Sequence, residues 1–144
     1  MDIVKLMACL FGLVWSSGSF GGATQYLCVV DKMTGFSYDK STNQWKEANF
    51  KADKNFLITR STNPKISYEI KEVGSEISTS WCDEDFNESG NLFCRGFGEY
   101  RFNKDHLRFL YIYPIGYWDD DNKSDLFKEG DNTPALGIGK CSPF

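Results

Sequence analysis

The sequence contains very little histidine and none of the short motifs that mark common catalytic sites. His106 is the only histidine among the 144 residues. The chain has no Gly-x-Ser-x-Gly, no His-Glu-x-x-His, no Walker phosphate loop and no Gly-x-Gly-x-x-Gly. A nucleophile–base pair would need His106 to meet a serine across the fold, and no motif predicts that contact. We therefore predict no catalytic residue and interpret His106 as a solvated turn histidine.

Clustered positive charge is also absent. The 16 Lys and Arg residues are scattered along the chain, and 20 Asp and Glu residues outnumber them, which gives a net charge of −4. Proteins that bind nucleic acid concentrate Lys and Arg on one surface to meet the phosphates. The same charge balance argues against adsorption to anionic lipid. The composition therefore predicts no nucleic-acid partner.

No apolar run is long enough to span a bilayer. Residues 6–15 form an apolar run, but a spanning helix needs about 20 residues. This run follows a short polar start and precedes a small-residue stretch ending in Ala23, which is the layout of a secretory signal peptide. We predict that residues 1–23 are cleaved and that residues 24–144 form one secreted or periplasmic domain without a transmembrane span. The alternative is an uncleaved N-terminal membrane anchor.

The cysteines point to the same compartment. Cys9 would leave with the signal peptide, and four cysteines would remain. An even number of cysteines in a small exported domain predicts disulfides. Four cysteines allow three connectivities, and we favour Cys82 with Cys94 and Cys28 with Cys141. The alternative is a zinc site, which lacks a Cys-x-x-Cys pair and has only one histidine available.

Helical periodicity is missing, and short alternating runs separated by turn residues take its place. Residues 98–113 show this most clearly, with two alternating runs around a polar tetrapeptide. This pattern predicts a β-hairpin whose tip is residues 104–105, with one apolar face that belongs to the core. That tip would give four cross-strand pairs: Phe102 with Leu107, Tyr100 with Phe109, Gly98 with Tyr111 and Arg101 with Arg108.

About eight or nine such strands fit into the domain. Residues 25–31 predict a first strand, residues 32–35 a turn, residues 39–43 the turn of a second hairpin, and residues 135–141 the last strand. Because consecutive strands usually neighbour each other, we predict an all-β antiparallel meander. We expect it to form a small closed barrel stapled by the two disulfides. A β-sandwich is the alternative.

Several tyrosine and tryptophan residues gather just before the most polar run of the chain. These residues are Tyr111, Tyr113, Tyr117 and Trp118. Aromatic side chains with a polar tip are common at binding surfaces, so they form a candidate binding site. The alternative is that they pack one end of the core.

The polar run itself contains a candidate calcium site. Asp120, Asn122, Ser124 and Asp131 fall at ligand positions of the calcium loop found in EF-hands. The match is incomplete, because Asp125 stands where glycine is needed and no helices flank the loop. A looser calcium loop is therefore one reading and a solvated surface loop is the other. We predict no other cofactor.

A second acidic segment keeps an enzymatic alternative open. Asp83, Glu84 and Asp85 lie together in one loop. Two facing carboxyl groups can act as acid and base in hydrolysis. The other interpretation is a solvated acidic turn.

Several segments match a known group of proteins across most of residues 24–144. In order they are Cys28-Val29-Val30-Asp31, Thr34-Gly35-Phe36-Ser37-Tyr38-Asp39, Trp45, Tyr100-Arg101-Phe102-Asn103, Leu107-Arg108-Phe109, Ile115-Gly116-Tyr117 and Ile138-Gly139-Lys140-Cys141-Ser142-Pro143. The chain thereby resembles short exported, uncharacterised proteins of proteobacteria and their phages. The resemblance implies export and a shared fold, and it assigns no site residue.

These observations lead to one expectation of function and two alternatives. We expect a non-catalytic binding protein that acts through loops at one end of the barrel. Its partner would be a protein or a small apolar ligand. The alternatives are a small hydrolase that uses an Asp/Glu pair and an envelope-associated structural protein.

Overall fold

The computed structural model describes residues 25–117 and 128–144, which form nine β-strands. The predicted signal peptide, Trp118, Asp120, Asn122 and Ser124 lie outside the described residues. The strands are β1 (Gln25–Asp39), β2 (Gln44–Phe50), β3 (Asn55–Arg60), β4 (Tyr68–Glu72), β5 (Ser78–Cys82), β6 (Asn91–Gly96), β7 (Glu99–Asn103), β8 (Arg108–Tyr113) and β9 (Ala135–Pro143).

Eight of the strands close into an antiparallel barrel. β3 to β9 follow one another as neighbours, and β1 closes the ring by pairing with β3 on one side and β9 on the other. The predicted all-β barrel is therefore confirmed, and the sandwich alternative is wrong. β2 is an extra strand that pairs only with β1. The simple meander fails at this point, because β1 lies between β2 and β3 in the sheet.

The first strand is longer than predicted. The turn expected at residues 32–35 is wrong, because β1 continues to Asp39. A register shift between Val30 and Lys32 marks a β-bulge, and beyond it β1 pairs with β9 as far as Gly35. Pairing with both β9 and β2 keeps this stretch extended. The predicted turn at residues 39–43 is present between β1 and β2.

The hairpin of β7 and β8 has a different register from the predicted one. The observed pairs are Tyr100 with Tyr111, Arg101 with Leu110, Phe102 with Phe109 and Asn103 with Arg108. The predicted pairs are wrong because residues 104–107 form a four-residue loop. The side-chain Oδ1 of Asn103 accepts the N–H groups of Asp105 at 3.0 Å and His106 at 2.9 Å. Leu107 then closes the loop with a φ of 52°.

Aromatic rings fill the barrel interior. Phe56 lies at the centre, with ring centroids 5.0 Å from Tyr100 and 5.3 Å from Tyr111. Phe86 closes one end of the barrel by packing on Tyr68 and Phe102 at 5.3 and 5.8 Å. An eight-stranded barrel is just wide enough for side chains to fill it. The face predicted for the core is therefore confirmed, although the pairing across it was wrong.

The barrel seam between β1 and β9 depends on a close backbone approach. A Cβ atom on Gly139 would lie 2.0 Å from the carbonyl oxygen of Val29 and 2.5 Å from Cε1 of Phe109. Only glycine fits between the neighbouring strand and the ring of Phe109. Gly139 therefore makes room for the Phe109 ring at the seam.

Both predicted disulfides are present. Cys28 bonds to Cys141 across the seam, and Cys82 bonds to Cys94 between β5 and β6. All four cysteines are buried. Cys28 and Cys141 are direct cross-strand partners, so the bond joins the first strand to the last.

Candidate functional site

The first hairpin extends beyond one end of the barrel. We call residues 36–47 the hairpin arm, because the last pair between β1 and β9 is Gly35 with Ala135. Tyr38 pairs with Trp45 and their rings lie 5.4 Å apart. Side chains alternate along a strand, so Phe36 lies on the same face of the arm as this pair. The arm therefore presents an aromatic face.

The connection between β8 and β9 folds against this face. The ring of Tyr117 meets Trp45 edge-on, with centroids 5.5 Å apart and an interplanar angle of 81°. Trp45 Nε1 donates a hydrogen bond to Glu129 Oε1 at 3.2 Å. Gly130 lies against Tyr38, where an added Cβ would come within 2.7 Å of the side chain. These contacts fix the arm relative to the described parts of the connection.

A cavity of about 440 Å³ lies between the arm and the connection. We call it the hairpin-end cavity, and it is lined by Phe36, Trp45, Pro114, Tyr117 and Pro134. Small-molecule sites commonly have volumes of about 300–1,000 Å³ and mostly apolar linings. Phe36 is 49% exposed and Tyr117 is 65% exposed, so a ligand would have direct access to both rings.

The three described members of the predicted aromatic site do not share one surface. Tyr117 lines the cavity. Tyr113 is half-buried, and its hydroxyl donates a hydrogen bond to Asn132 Oδ1 at 3.1 Å. Tyr111 is buried in the barrel, where burial raises its pKa to about 12. The side chain of Tyr111 therefore belongs to the core, and Trp118 lies outside the described residues.

Sequence reasoning missed Phe36 and Trp45 as site residues. Both belong to the hairpin predicted around residues 39–43, and their alternation was a usable signal that they share a face. Their role depends on Pro114, Tyr117 and Pro134, which come from a segment far away in the sequence. No local pattern predicts that this segment folds onto the arm.

One candidate ligand of the proposed calcium loop, Asp131, lies among the described residues. Asp131 Oδ2 accepts the backbone N–H of Lys128 at 3.0 Å, and Asp131 Oδ1 lies 3.6 Å from Lys40 Nζ. Asp131 thus holds a turn and contacts a lysine on the hairpin arm. Among the described residues there is no group of three or more His, Cys, Asp or Glu side chains placed to hold a metal ion. The other three candidate ligands lie outside them.

The acidic loop of the enzymatic alternative lies at the opposite end of the barrel. Asp83, Glu84 and Asp85 line a surface groove of about 320 Å³ together with Trp81. Asp85 Oδ2 accepts a hydrogen bond from Arg60 Nη2 at 2.6 Å. His106 lies in another loop at this end and is exposed.

The shifted pKa of Asp85 does not fit a general acid. Burial alone would raise the pKa of Asp85, but the N–H of Phe86 and the Arg60 guanidinium outweigh it and lower the pKa. In the hairpin arm, at the other end of the barrel, hydrogen bonds from Lys46 and Ser41 also lower the pKa of Asp39. A carboxylic acid that donates a proton near neutral pH needs a raised pKa. The carboxylate of Asp85 is therefore an ion-pair partner.

Comparisons with known proteins found no match to a protein family, a curated protein or a solved structure. Within residues 25–117 and 128–144 there is no helix of the length and apolarity needed to cross a membrane. The two disulfides indicate an oxidising compartment, either extracellular or periplasmic.

Proposed function

We propose that the chain is an exported binding protein whose hairpin-end cavity receives an apolar group. The cavity carries this proposal, because it combines a suitable volume with an aromatic and proline lining. Export is supported by the buried disulfides and by the signal-peptide layout of residues 1–23. The group is a small apolar molecule or an apolar side chain of a partner protein.

The lining favours binding over catalysis. None of the five lining residues carries a carboxyl group, an imidazole, an amine or a thiol. The indole N–H of Trp45 already donates to Glu129, which leaves mainly ring faces and proline rings to meet a ligand. Such surfaces gain free energy from apolar burial and from ring contacts. Apart from the Tyr117 hydroxyl, they supply no group that would transfer a proton or form a covalent bond.

A neutral apolar fluorophore tests this proposal. N-phenyl-1-naphthylamine should become brighter on binding the exported protein, and Phe36→Ser should weaken its affinity about tenfold. Phe144→Ser is the matched control, because Phe144 is an exposed phenylalanine outside the cavity lining. Equal affinity of the two variants would contradict the proposal, as would a native protein that binds no fluorophore. Circular dichroism of both variants confirms that they fold.

A further inference from the structure

A second surface lies on the outside of the barrel wall. The outward side chains include one aliphatic group on β3 and β1 and another on β9 and β8. The two groups meet at Val29 and Ile138, which are diagonal neighbours across the β1–β9 pairing. Leu27 pairs with Leu57, Leu110 with Ile138 and Ile112 with Leu136. We call this area the aliphatic face, and its members are Leu27, Val29, Leu57, Leu110, Ile112, Leu136 and Ile138.

The aliphatic face is open to solvent. Leu27, Val29, Leu136 and Ile138 are between 38% and 48% exposed, which is high for branched apolar side chains in the middle of strands. Four neighbouring strands spaced by about 4.8 Å give the face a width of about 14 Å. A contiguous apolar area of this kind on a soluble domain marks a site of interaction.

Basic residues border this face, and two of them, Lys140 and Lys32, lie directly opposite its members on the neighbouring strand. Lys140 pairs with both Val29 and Arg108, and Lys32 pairs with Ile138. Arg101 pairs with Leu110. These four side chains are exposed. The border is therefore positive, although the whole chain carries a net charge of −4.

Two acidic residues lie near the same border. Glu99 Oε2 is 3.6 Å from Arg101 Nη2, and exposed Asp31 sits at the bulge of β1. They partly offset the charge of Arg101 and Lys32. Lys140 and Arg108 lie side by side on neighbouring strands, where each raises the local positive potential. This pair makes an acidic partner favourable.

The charge and the curvature of the face favour a lipid bilayer over a second copy of the chain as its partner. A second copy that docked through the same face would bring the two sets of basic side chains together, and like charges across an interface are unfavourable. The face also follows the outward curve of a small barrel, so a partner must conform to a convex surface. A lipid bilayer is deformable and presents negatively charged headgroups above an apolar interior.

We propose that the aliphatic face rests on the surface of an anionic lipid bilayer. Its leucine, isoleucine and valine side chains enter the boundary between headgroups and acyl chains, and the bordering Lys and Arg side chains reach the lipid phosphates. The net charge of −4 by itself disfavours binding to anionic lipid. Charges farther away than a Debye length, about 8 Å at physiological salt, are largely screened, so the local border decides the interaction.

Vesicle sedimentation tests this inference directly. The exported protein should bind vesicles of phosphatidylcholine mixed with phosphatidylglycerol and should bind pure phosphatidylcholine much less. Lys140→Gln removes one cation and should weaken binding about fivefold. Lys51→Gln is the matched control, since Lys51 lies outside the aliphatic face in the exposed segment between β2 and β3.

The apolar contribution needs its own pair of variants. Ile138→Asn should weaken binding to the mixed vesicles about tenfold, because it removes an aliphatic side chain from the centre of the face. Ile77→Asn is the control, since Ile77 is 70% exposed and lies elsewhere. Circular dichroism and thermal unfolding check that each variant folds.

Three outcomes would overturn the inference. They are no binding to the mixed vesicles, equal binding to both vesicle types, and the same loss for Ile77→Asn as for Ile138→Asn. Sedimentation equilibrium without lipid supplies a further check. A dimer that Ile138→Asn abolishes would show that the face binds a second copy instead. None of these outcomes bears on the hairpin-end cavity, because its lining residues are different.

Discussion

Removing the disulfide that closes the barrel should destabilise the protein more than removing the short one. Cys28 and Cys141 are 113 positions apart, and the loop-entropy model assigns such a bond about 4.8 kcal/mol at 25 °C. Cys82 and Cys94 are 12 positions apart, for which the same model gives about 2.8 kcal/mol. The two double Cys→Ala variants should therefore differ by about 2 kcal/mol in their free energy of unfolding.

The surroundings of the two bonds make this comparison fair. Each bond links neighbouring antiparallel strands, and all four cysteines are at most 4% exposed. Each double variant removes two buried sulfur atoms, so the loss of packing is similar in both. The difference between the variants then reports mainly the restriction that each bond places on the unfolded chain.

Urea titrations of the unreduced proteins measure this difference. The native protein and both double variants are followed by circular dichroism, and the free energy of unfolding is extrapolated to water. Equal losses, or a larger loss without the Cys82–Cys94 bond, would refute the loop-entropy reasoning. Peptide mapping without reductant comes first, and a bond from Cys28 to Cys82 or Cys94 would contradict the barrel topology itself.

Two further predictions concern the hairpin of β7 and β8 and the pH dependence of stability. Phe109→Ala should lower the free energy of unfolding by about 3–5 kcal/mol because the ring is buried. Arg108→Ala should change it by about 0.5 kcal/mol or less because that side chain is exposed. Equal effects of the two variants in a denaturant titration would contradict this assignment. Hydrogen bonds from Ser61 and Ser78 lower the pKa of Glu69, so its contribution to stability should be present above about pH 4.5 and should be lost as the pH falls further. The stability difference between the native protein and Glu69→Gln should shrink as the pH falls below about 4.5, and a constant difference would argue against this role.

The fold class followed from the sequence because its signals are local. Strict alternation in β7 and β8 sets which side chains face the core, whatever the register between the strands. Thus Phe102 and Phe109 could be assigned to the core even though their pairing was wrong. The number and spacing of the cysteines likewise predicted both disulfides, since strands at the two ends of a closed sheet must meet.

The register of the β7–β8 hairpin required the tertiary structure. A two-residue tip and a four-residue loop are both compatible with the polar run, and the choice depends on hydrogen bonds of the Asn103 side chain. The length of β1 also depended on partners outside its own sequence. Residues 32–35 carry turn-forming residues, but strands on both sides hold them extended.

The sequence by itself determined an all-β domain with two disulfides, because alternation and cysteine number act through neighbouring residues and through loop closure. Only the tertiary structure decided the two candidate surfaces. The cavity joins Phe36 and Trp45 to Tyr117, and the aliphatic face joins Val29 to Ile138. Each set is assembled by contacts between strands and segments far apart in the chain. Hydrophobic contacts are non-directional, so sequence patterns show that such side chains need partners without showing which ones they meet.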